Sequence, residues 1–354
     1  MSRLKDVDRR AGREVIHSLQ VGRGVAAVAV VAHHAAVSTD AFVGTVPAAW
    51  LRAFDLGAYG VDFFFVLSGF IIMHAHLHEG GRPGAIGGYV FKRLTRIFPA
   101  YWPVGLAVLV LYAALPGLSA SGGREFSVLS SVLLLPADRP PALSVAWTLV
   151  HELMFYGVFM LWFVSRRAFW GGVAVWTVAI ALSYAAGGAT GWLRYPLGLL
   201  NVEFMLGVLA AVAYRRGLLT QRAGMLIAGG GLLACGVLVA LYAGLVGGEA
   251  RLVLALGLGV LMLGLALRER QSPIAWPGVL LALGNASYSI YLVHNPLLSA
   301  TQRVAGKVGL GWPAGLMAGV VVSVGCGYLY YVAVERRALR AARRWRGGVS
   351  HDHR

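Results

Sequence analysis

Two ionisable side chains stand out in the first apolar stretch, QVGRGVAAVAVVAHH over residues 20–34, where Arg23 and His34 are eleven residues apart. At 100° per residue that separation returns to within about 20° of the same direction, so on a helix both lie on one face, about 16 Å apart along the axis. Arg23 is a fixed cation. His34 carries the side chain best suited to moving a proton near neutral pH, and is the candidate general base or nucleophile. His33 points about 100° away and reads as structural.

Further candidates follow in GVDFFFVLSGF over 60–70. Asp62 could orient an imidazole, or could simply complement a helix start. Ser68 and Gly69 would permit close approach of two helices. In KRLTRIFPAYW over 92–102, Arg93 and Arg96 are neighbours on one helix face, and two guanidiniums there suit a phosphate-bearing ligand or positive-inside anchoring. Trp102 belongs to the same block. In WTLVHELMFY over 147–156, Thr148, Glu152 and Tyr156 form an i, i+4, i+8 polar stripe beginning beside Trp147. Glu152 at membrane depth needs a partner or a cavity, and His151 is expected to snorkel at the outer interface. In GNASYSIYLVHNP over 284–296, Tyr288, Tyr291 and His294 add ring and imidazole groups, and Tyr291 and His294 share a face. Glu335-Arg336 reads as an interfacial pair. Ser68, Tyr156 and Tyr291 could donate to an oxyanion. His74, His76 and His78 alternate, which is poor spacing for a metal on a helix, and no metal is expected.

The elements that must hold these groups are set by composition. Of 354 residues 58% are hydrophobic and 13% charged, against roughly 25% charged in a soluble domain, which excludes an ordinary soluble enzyme. Ten apolar runs are long enough to span a bilayer, at about 18–38, 57–76, 98–117, 144–164, 169–187, 196–214, 223–246, 250–267, 279–299 and 313–334. The fold class is therefore an all-α integral membrane bundle of about ten helices. The formal charge of +16 could signal nucleic acid. With the N-terminus inside, however, 24 of the 31 Lys and Arg residues fall on cytoplasmic segments and seven outside, which is positive-inside topology with both termini cytoplasmic. No nucleic-acid partner is expected. Cys235 and Cys326 lie within apolar runs and read as small buried hydrophobes.

In order and spacing, these blocks together resemble the membrane acyltransferase-3 family of bacterial glycan and small-molecule O-acyltransferases, over nearly the whole chain. The likeness rests on Arg23 to His34, on Gly60 to Phe70, on Lys92 to Trp102, on Trp147 to Tyr156, on Ser287 to His294 and on Glu335-Arg336. His33 and His151 depart from the pattern. No fused extracytoplasmic domain is expected, so residues 1–354 read as one transmembrane domain.

The resemblance implies an acyl-CoA donor, most often acetyl-CoA, and a hydroxyl acceptor on a polysaccharide or small molecule, in the bacterial inner membrane. Coenzyme A phosphates would meet Arg93, Arg96 and Arg23, with Ser68 and Trp102 along the donor. His34 would act as base or carry the acyl group, with Asp62 or Glu152 orienting it and Tyr156 assisting. Trp147, Tyr288, Tyr291 and His294 would touch the acceptor. The outer loop 118–143 is the expected source of acceptor contacts, and oligomeric state is left open. The competing reading is a transporter or flippase, since buried Arg, His, Asp and Glu also suit proton coupling. Against it stand the lack of an internal repeat and of paired broken helices.

Overall fold

In the computed structural model, residues 15–115, 125–247 and 250–349 are described. The N-terminal basic residues Arg3, Lys5, Arg9, Arg10 and Arg13, together with Arg124, Arg354 and the first part of the 118–143 loop, lie outside the described residues.

Among the described residues the chain is all helical. It runs α1 (His17–Phe42), α2 (Ala48–Asp55), α3 (Gly60–His76), α4 (Ile86–Ala114), α5 (Val128–Leu133), α6 (Trp147–Val164), α7 (Arg166–Ala185), α8 (Leu200–Arg215), α9 (Ala223–Tyr242), α10 (Arg251–Gln271), α11 (Gly278–Lys307), α12 (Trp312–Tyr330) and α13 (Arg336–Val349). Helices suit these runs because a bilayer offers backbone groups no water, so each must be satisfied within its own segment. Pro99 and Pro103 sit inside α4 and Pro296 inside α11, without ending either helix.

Among the described residues, eight stretches are long and apolar enough to cross a membrane, two fewer than expected. The two that fall short have physical reasons. α8 has 16 residues, about 24 Å of helix against a hydrocarbon core of about 30 Å. α11 has ample length at 30 residues but carries Asn285, Ser287, Ser289, His294, Asn295 and Gln302. Ser287, Ser289, His294 and Gln302 are fully buried, so the polarity that lowers the hydropathy of α11 faces protein rather than lipid.

The bundle is polar within and apolar without. Val175, Leu232 and Leu245 are 71%, 75% and 77% exposed, as expected of lipid-facing positions on or beside the peripheral helices α7 and α9. Asp62, Glu203, His294 and Glu335 are buried to 1% exposure or less. Two crossings bring the inner helices close. A Cβ on Gly207 would lie 1.8 Å from the carbonyl oxygen of Val66, and one on Gly69 would lie 1.9 Å from that of Phe204, so α3 and α8 cross backbone to backbone. Gly284 meets Gln20 the same way, with a Cβ placed 2.1 Å from its carbonyl oxygen, which locks α11 against α1. The close approach expected at Ser68-Gly69 is present.

Candidate functional site

Of the expected α1 face, the Arg23 end reaches a cavity. Arg23 lines a chamber of about 170 Å³ bounded by α1, α3, α4, α6 and α11. The chamber wall includes Ser68, Arg93, Arg96, Thr148, Glu152, Tyr156, Ser287, Tyr288 and Tyr291. The stripe Thr148, Glu152, Tyr156 therefore points inward as one face of α6. An open cleft of about 710 Å³ adjoins the chamber, lined by Lys92, Arg93, Arg96, Asn285, Glu335, Arg343 and others. Arg23, Arg93 and Arg96 belong to both cavities, so a basic vestibule narrows into the chamber at three guanidiniums.

These three are not equivalent. Arg96 forms an ion pair with Glu335, stacks over the Tyr288 ring at 5.2 Å, and is already committed to the protein. Glu335 also accepts a 2.6 Å hydrogen bond from Ser289 Oγ. The expected Glu335-Arg336 pair is corrected here: a π-helical turn, Tyr331–Glu335, joins α12 to α13, and the Glu335 carboxylate is buried against Arg96. Arg93 makes cation–π contacts with Tyr89 at 5.7 Å and Tyr156 at 5.6 Å, and its buried Nε has no hydrogen-bond partner among the described residues. A buried donor left unsatisfied is costly unless a ligand supplies the acceptor.

Deeper in, Glu152 organises the hydroxyls. Tyr156 and Ser68 both donate to Glu152 Oε1, the latter at 3.3 Å. Tyr291 donates to the Val145 carbonyl at 3.1 Å and lies 3.0 Å from Thr148 Oγ1, which closes the far end of the chamber. The three hydroxyls expected to stabilise an oxyanion are thus engaged with protein groups. Ser287 Oγ, by contrast, is buried on the chamber wall without a partner among the described residues. Tyr288 donates to the Ile97 carbonyl at 3.0 Å.

His34 and His294 are not on the chamber wall. His294 stands beside Tyr291, whose ring centre lies 5.6 Å from that of His294 and 6.1 Å from that of Phe64, and the His34 ring centre is 5.0 Å from that of His294. His34 Nδ1 lies 3.2 Å from His294 Nε2 and 3.0 Å from the Val30 carbonyl oxygen. His33 Nδ1 lies 3.2 Å from Asp55 Oδ1, at the end of the α1 stripe away from Arg23.

Several expected placements are corrected. Asp62 does not reach His34: both its oxygens accept from Arg251 at 3.0 Å, and Glu203 approaches the same guanidinium at 3.6 Å. An acid buried at 0% exposure takes the nearest cation, which comes from α10, 189 residues away. Glu152 is held by Tyr156 and Ser68 rather than by an imidazole. Trp102 is 42% exposed, and its Nε1 donates outward to the Val132 carbonyl at 3.0 Å, away from both cavities. Trp147 packs against Phe65 and His151 rather than lining the chamber. His151 is buried and pairs with Asn201 Oδ1 at 3.2 Å instead of snorkelling. Among the described residues, no group of three His, Cys, Asp or Glu side chains could hold a metal.

Arg251, Ser287 and Phe64 were not singled out from sequence, and Glu335 was read only as the neighbour of Arg336. Arg251 and Glu335 could have been reached only through a pairing rule for buried charge, since their partners are far apart in the chain. Ser287 and Phe64 lay within quoted blocks, but nothing in their type marked them.

A cationic vestibule, a buried chamber beyond it and an imidazole pair beside a tyrosine make this a multi-pass membrane protein with the parts for group transfer. The acyltransferase-3 family model, described as an acyltransferase domain, matches residues 16–332, and the chain belongs to that family. It is 32% identical over 311 residues to the exopolysaccharide production protein ExoZ of Rhizobium meliloti, covering 82% of this chain and 92% of that protein. It is 26% identical over 374 residues to the acyltransferase MdmB of Streptomyces mycarofaciens, covering 90% of each. Protein 2 in the picA locus of Rhizobium radiobacter is 32% identical over 164 residues, covering 40% of this chain and 78% of that protein. No solved structure gives a significant match.

Proposed function

We propose that the protein is an O-acyltransferase of the bacterial inner membrane that moves an acyl group, most simply acetyl, from cytoplasmic acyl-CoA to a hydroxyl of a cell-surface or exported glycan. Family membership supports acyl transfer, and the printed name of the Rhizobium meliloti relative points toward an exopolysaccharide. The observation that carries the donor assignment is the junction of Arg23, Arg93 and Arg96, with the unpartnered Nε of Arg93 at its centre. Coenzyme A is a polyanion with a long, weakly polar arm. Its phosphates suit the vestibule, and its arm suits a chamber whose wall is mostly apolar side chains.

In this reading Arg93 and Arg23 bind phosphate, while Arg96, neutralised by Glu335, shapes the passage. The thioester is held at the Tyr291 end of the chamber, where His294 packs against Tyr291 and His34 lies against His294. Nε2 of His34 takes the proton of the acceptor hydroxyl as its oxygen attacks the thioester carbonyl. The C–O bond forms, the C–S bond breaks, and the proton returns to the departing thiolate. Glu152 keeps the hydroxyls of Ser68 and Tyr156 fixed while the donor passes.

The test is donor affinity in detergent-solubilised protein. Arg93→Ala is expected to raise KM for acetyl-CoA by about 10- to 100-fold, the worth of a charge-assisted hydrogen bond, with Arg93→Lys intermediate. Unchanged donor affinity in Arg93→Ala would refute the assignment. Mass spectrometry of surface glycans from a deletion strain, searched for loss of an acyl increment, tests the acceptor class.

A further inference from the structure

We infer that His294 is a positioning residue for His34: it accepts a hydrogen bond from His34 Nδ1–H and so leaves Nε2 as the working nitrogen. The inference rests on the proposed acyl transfer only for its kinetic consequences, since the hydrogen-bond assignment stands on geometry alone.

Two backbone carbonyls fix the protons. A carbonyl oxygen can only accept, so a ring nitrogen within hydrogen-bond distance of one must carry hydrogen. His294 Nδ1 lies 2.6 Å from the Tyr291 carbonyl oxygen, so it is the protonated nitrogen of that ring. In a neutral imidazole the other nitrogen, Nε2, is then a bare acceptor. This Nε2 lies 3.2 Å from His34 Nδ1. His34 Nδ1 is also 3.0 Å from the Val30 carbonyl oxygen, so it too carries hydrogen and shares it between two acceptors. The opposite assignment, with Nδ1 of His34 bare, would place two lone pairs against each other at the Val30 carbonyl. The chain therefore runs from His34 Nδ1–H to His294 Nε2, and from His294 Nδ1–H to the Tyr291 carbonyl. Nε2 of His34 is left with a free lone pair and no protein partner among the described residues.

This arrangement does the work of an orienting acid without a buried negative charge. When Nε2 takes a proton from the acceptor hydroxyl, the positive charge spreads to Nδ1–H, which already has two acceptors. Neither of the two acids expected in that role takes it: Asp62 is held by Arg251 and Glu152 by Tyr156 and Ser68. The other titratable groups facing the pair are His33 on α1, whose ring centre is 4.7 Å from that of His34, its partner Asp55 on α2, and Tyr291 on α11.

The test has two arms on the full-length protein. The first is nitrogen-15 NMR of histidine-labelled protein in lipid at neutral pH. His34 is expected to show hydrogen on Nδ1 and a bare Nε2, with a coupling to His294 Nε2 that His294→Phe abolishes. A bare Nδ1 on His34 would overturn the inference. The second arm measures transfer from radiolabelled acetyl-CoA to the host's own surface polysaccharide, stripped of O-acyl groups by mild alkali. His294→Phe should lower kcat about 10- to 100-fold, in the range seen when an outer orienting partner is lost. It should leave KM for acetyl-CoA unchanged and move the acid limb of the rate–pH profile to lower pH. His294→Gln, which restores an acceptor, should recover most of the rate. An unmoved acid limb in His294→Phe, or a His294→Gln enzyme as slow as His294→Phe, would refute the positioning role. Absence of any transfer by the wild-type protein would instead refute the proposed function, and the NMR arm would still decide the hydrogen-bond assignment.

Discussion

At the scale of single residues, the site separates a charge paired within the protein from one whose donor faces no protein acceptor among the described residues. Arg93 and Arg96 are three residues apart on α4. Their environments differ because only Arg96 meets a carboxylate, that of Glu335. Substituting the two should therefore have different outcomes. Arg93→Ala acts on donor affinity, as stated above. Arg96→Ala leaves Glu335 buried with no cation, and breaking a buried pair costs about 3–5 kcal/mol. Lower yield and thermal stability are expected for Arg96→Ala, checked by size-exclusion melting in detergent. A stable Arg96→Ala protein with weakened donor binding would move Arg96 into the binding set. His34→Ala should reduce transfer by about 10²- to 10⁴-fold, the usual worth of a general base, with normal membrane insertion. Near-wild-type turnover would remove His34 from the mechanism.

At the scale of elements, the two helices that fall short of ideal membrane spans do so for different reasons. α11 gives up hydropathy to carry Ser287, Tyr288, Tyr291 and His294, and recovers stability by packing along α1 through Gly284. α8 is short, yet it supplies Glu203 to the Arg251 cluster and crosses α3 at Gly207. At that crossing Gly207→Leu forces a side chain into the Val66 carbonyl, at a cost of about 3 kcal/mol or more. Loss of folded protein is the expected result, read by protease resistance in membranes, whereas Gly229→Leu on lipid-facing α9, where no atom lies within 4 Å of the added Cβ, should be tolerated. Equal damage at both positions would contradict the close crossing.

At the scale of the whole molecule, the arrangement implies a direction. The vestibule opens among Lys92, Arg93, Arg343 and the start of α13, which are also the positions that positive-inside placement assigns to the cytoplasm. Asp55, the partner of His33, sits at the other end of α1 and is 61% exposed at its side chain. Donor and acceptor would then approach His34 from opposite sides of the bilayer. Cysteine scanning checks this in a background without Cys235 and Cys326. A cysteine at Arg343 should react with a membrane-impermeant maleimide only in inverted vesicles, and one at Arg139 only in intact spheroplasts. The reverse pattern would invert the topology and with it the donor side.

Much of this was legible from the chain alone. Helical class, approximate spans, the inward Arg23 and the inward face Thr148 to Tyr156 follow from local rules: apolar length sets the span, and 3.6-residue periodicity sets the face. The block order from Arg23 to Glu335 likewise carried the family, and the match over residues 16–332 agrees. What periodicity cannot supply is the partner of each buried charge. Asp62 could have met His34, Arg23 or Arg251 by any rule of composition, and it meets Arg251 because α3 and α10 are brought together by the bundle. Nor can sequence show that Arg96 is neutralised while Arg93 is not, or that His34 faces His294 across 260 residues of chain. Side-chain direction along one helix is a local property, written in spacing. Proton position and charge pairing depend on which helices touch, and only the tertiary packing decides that.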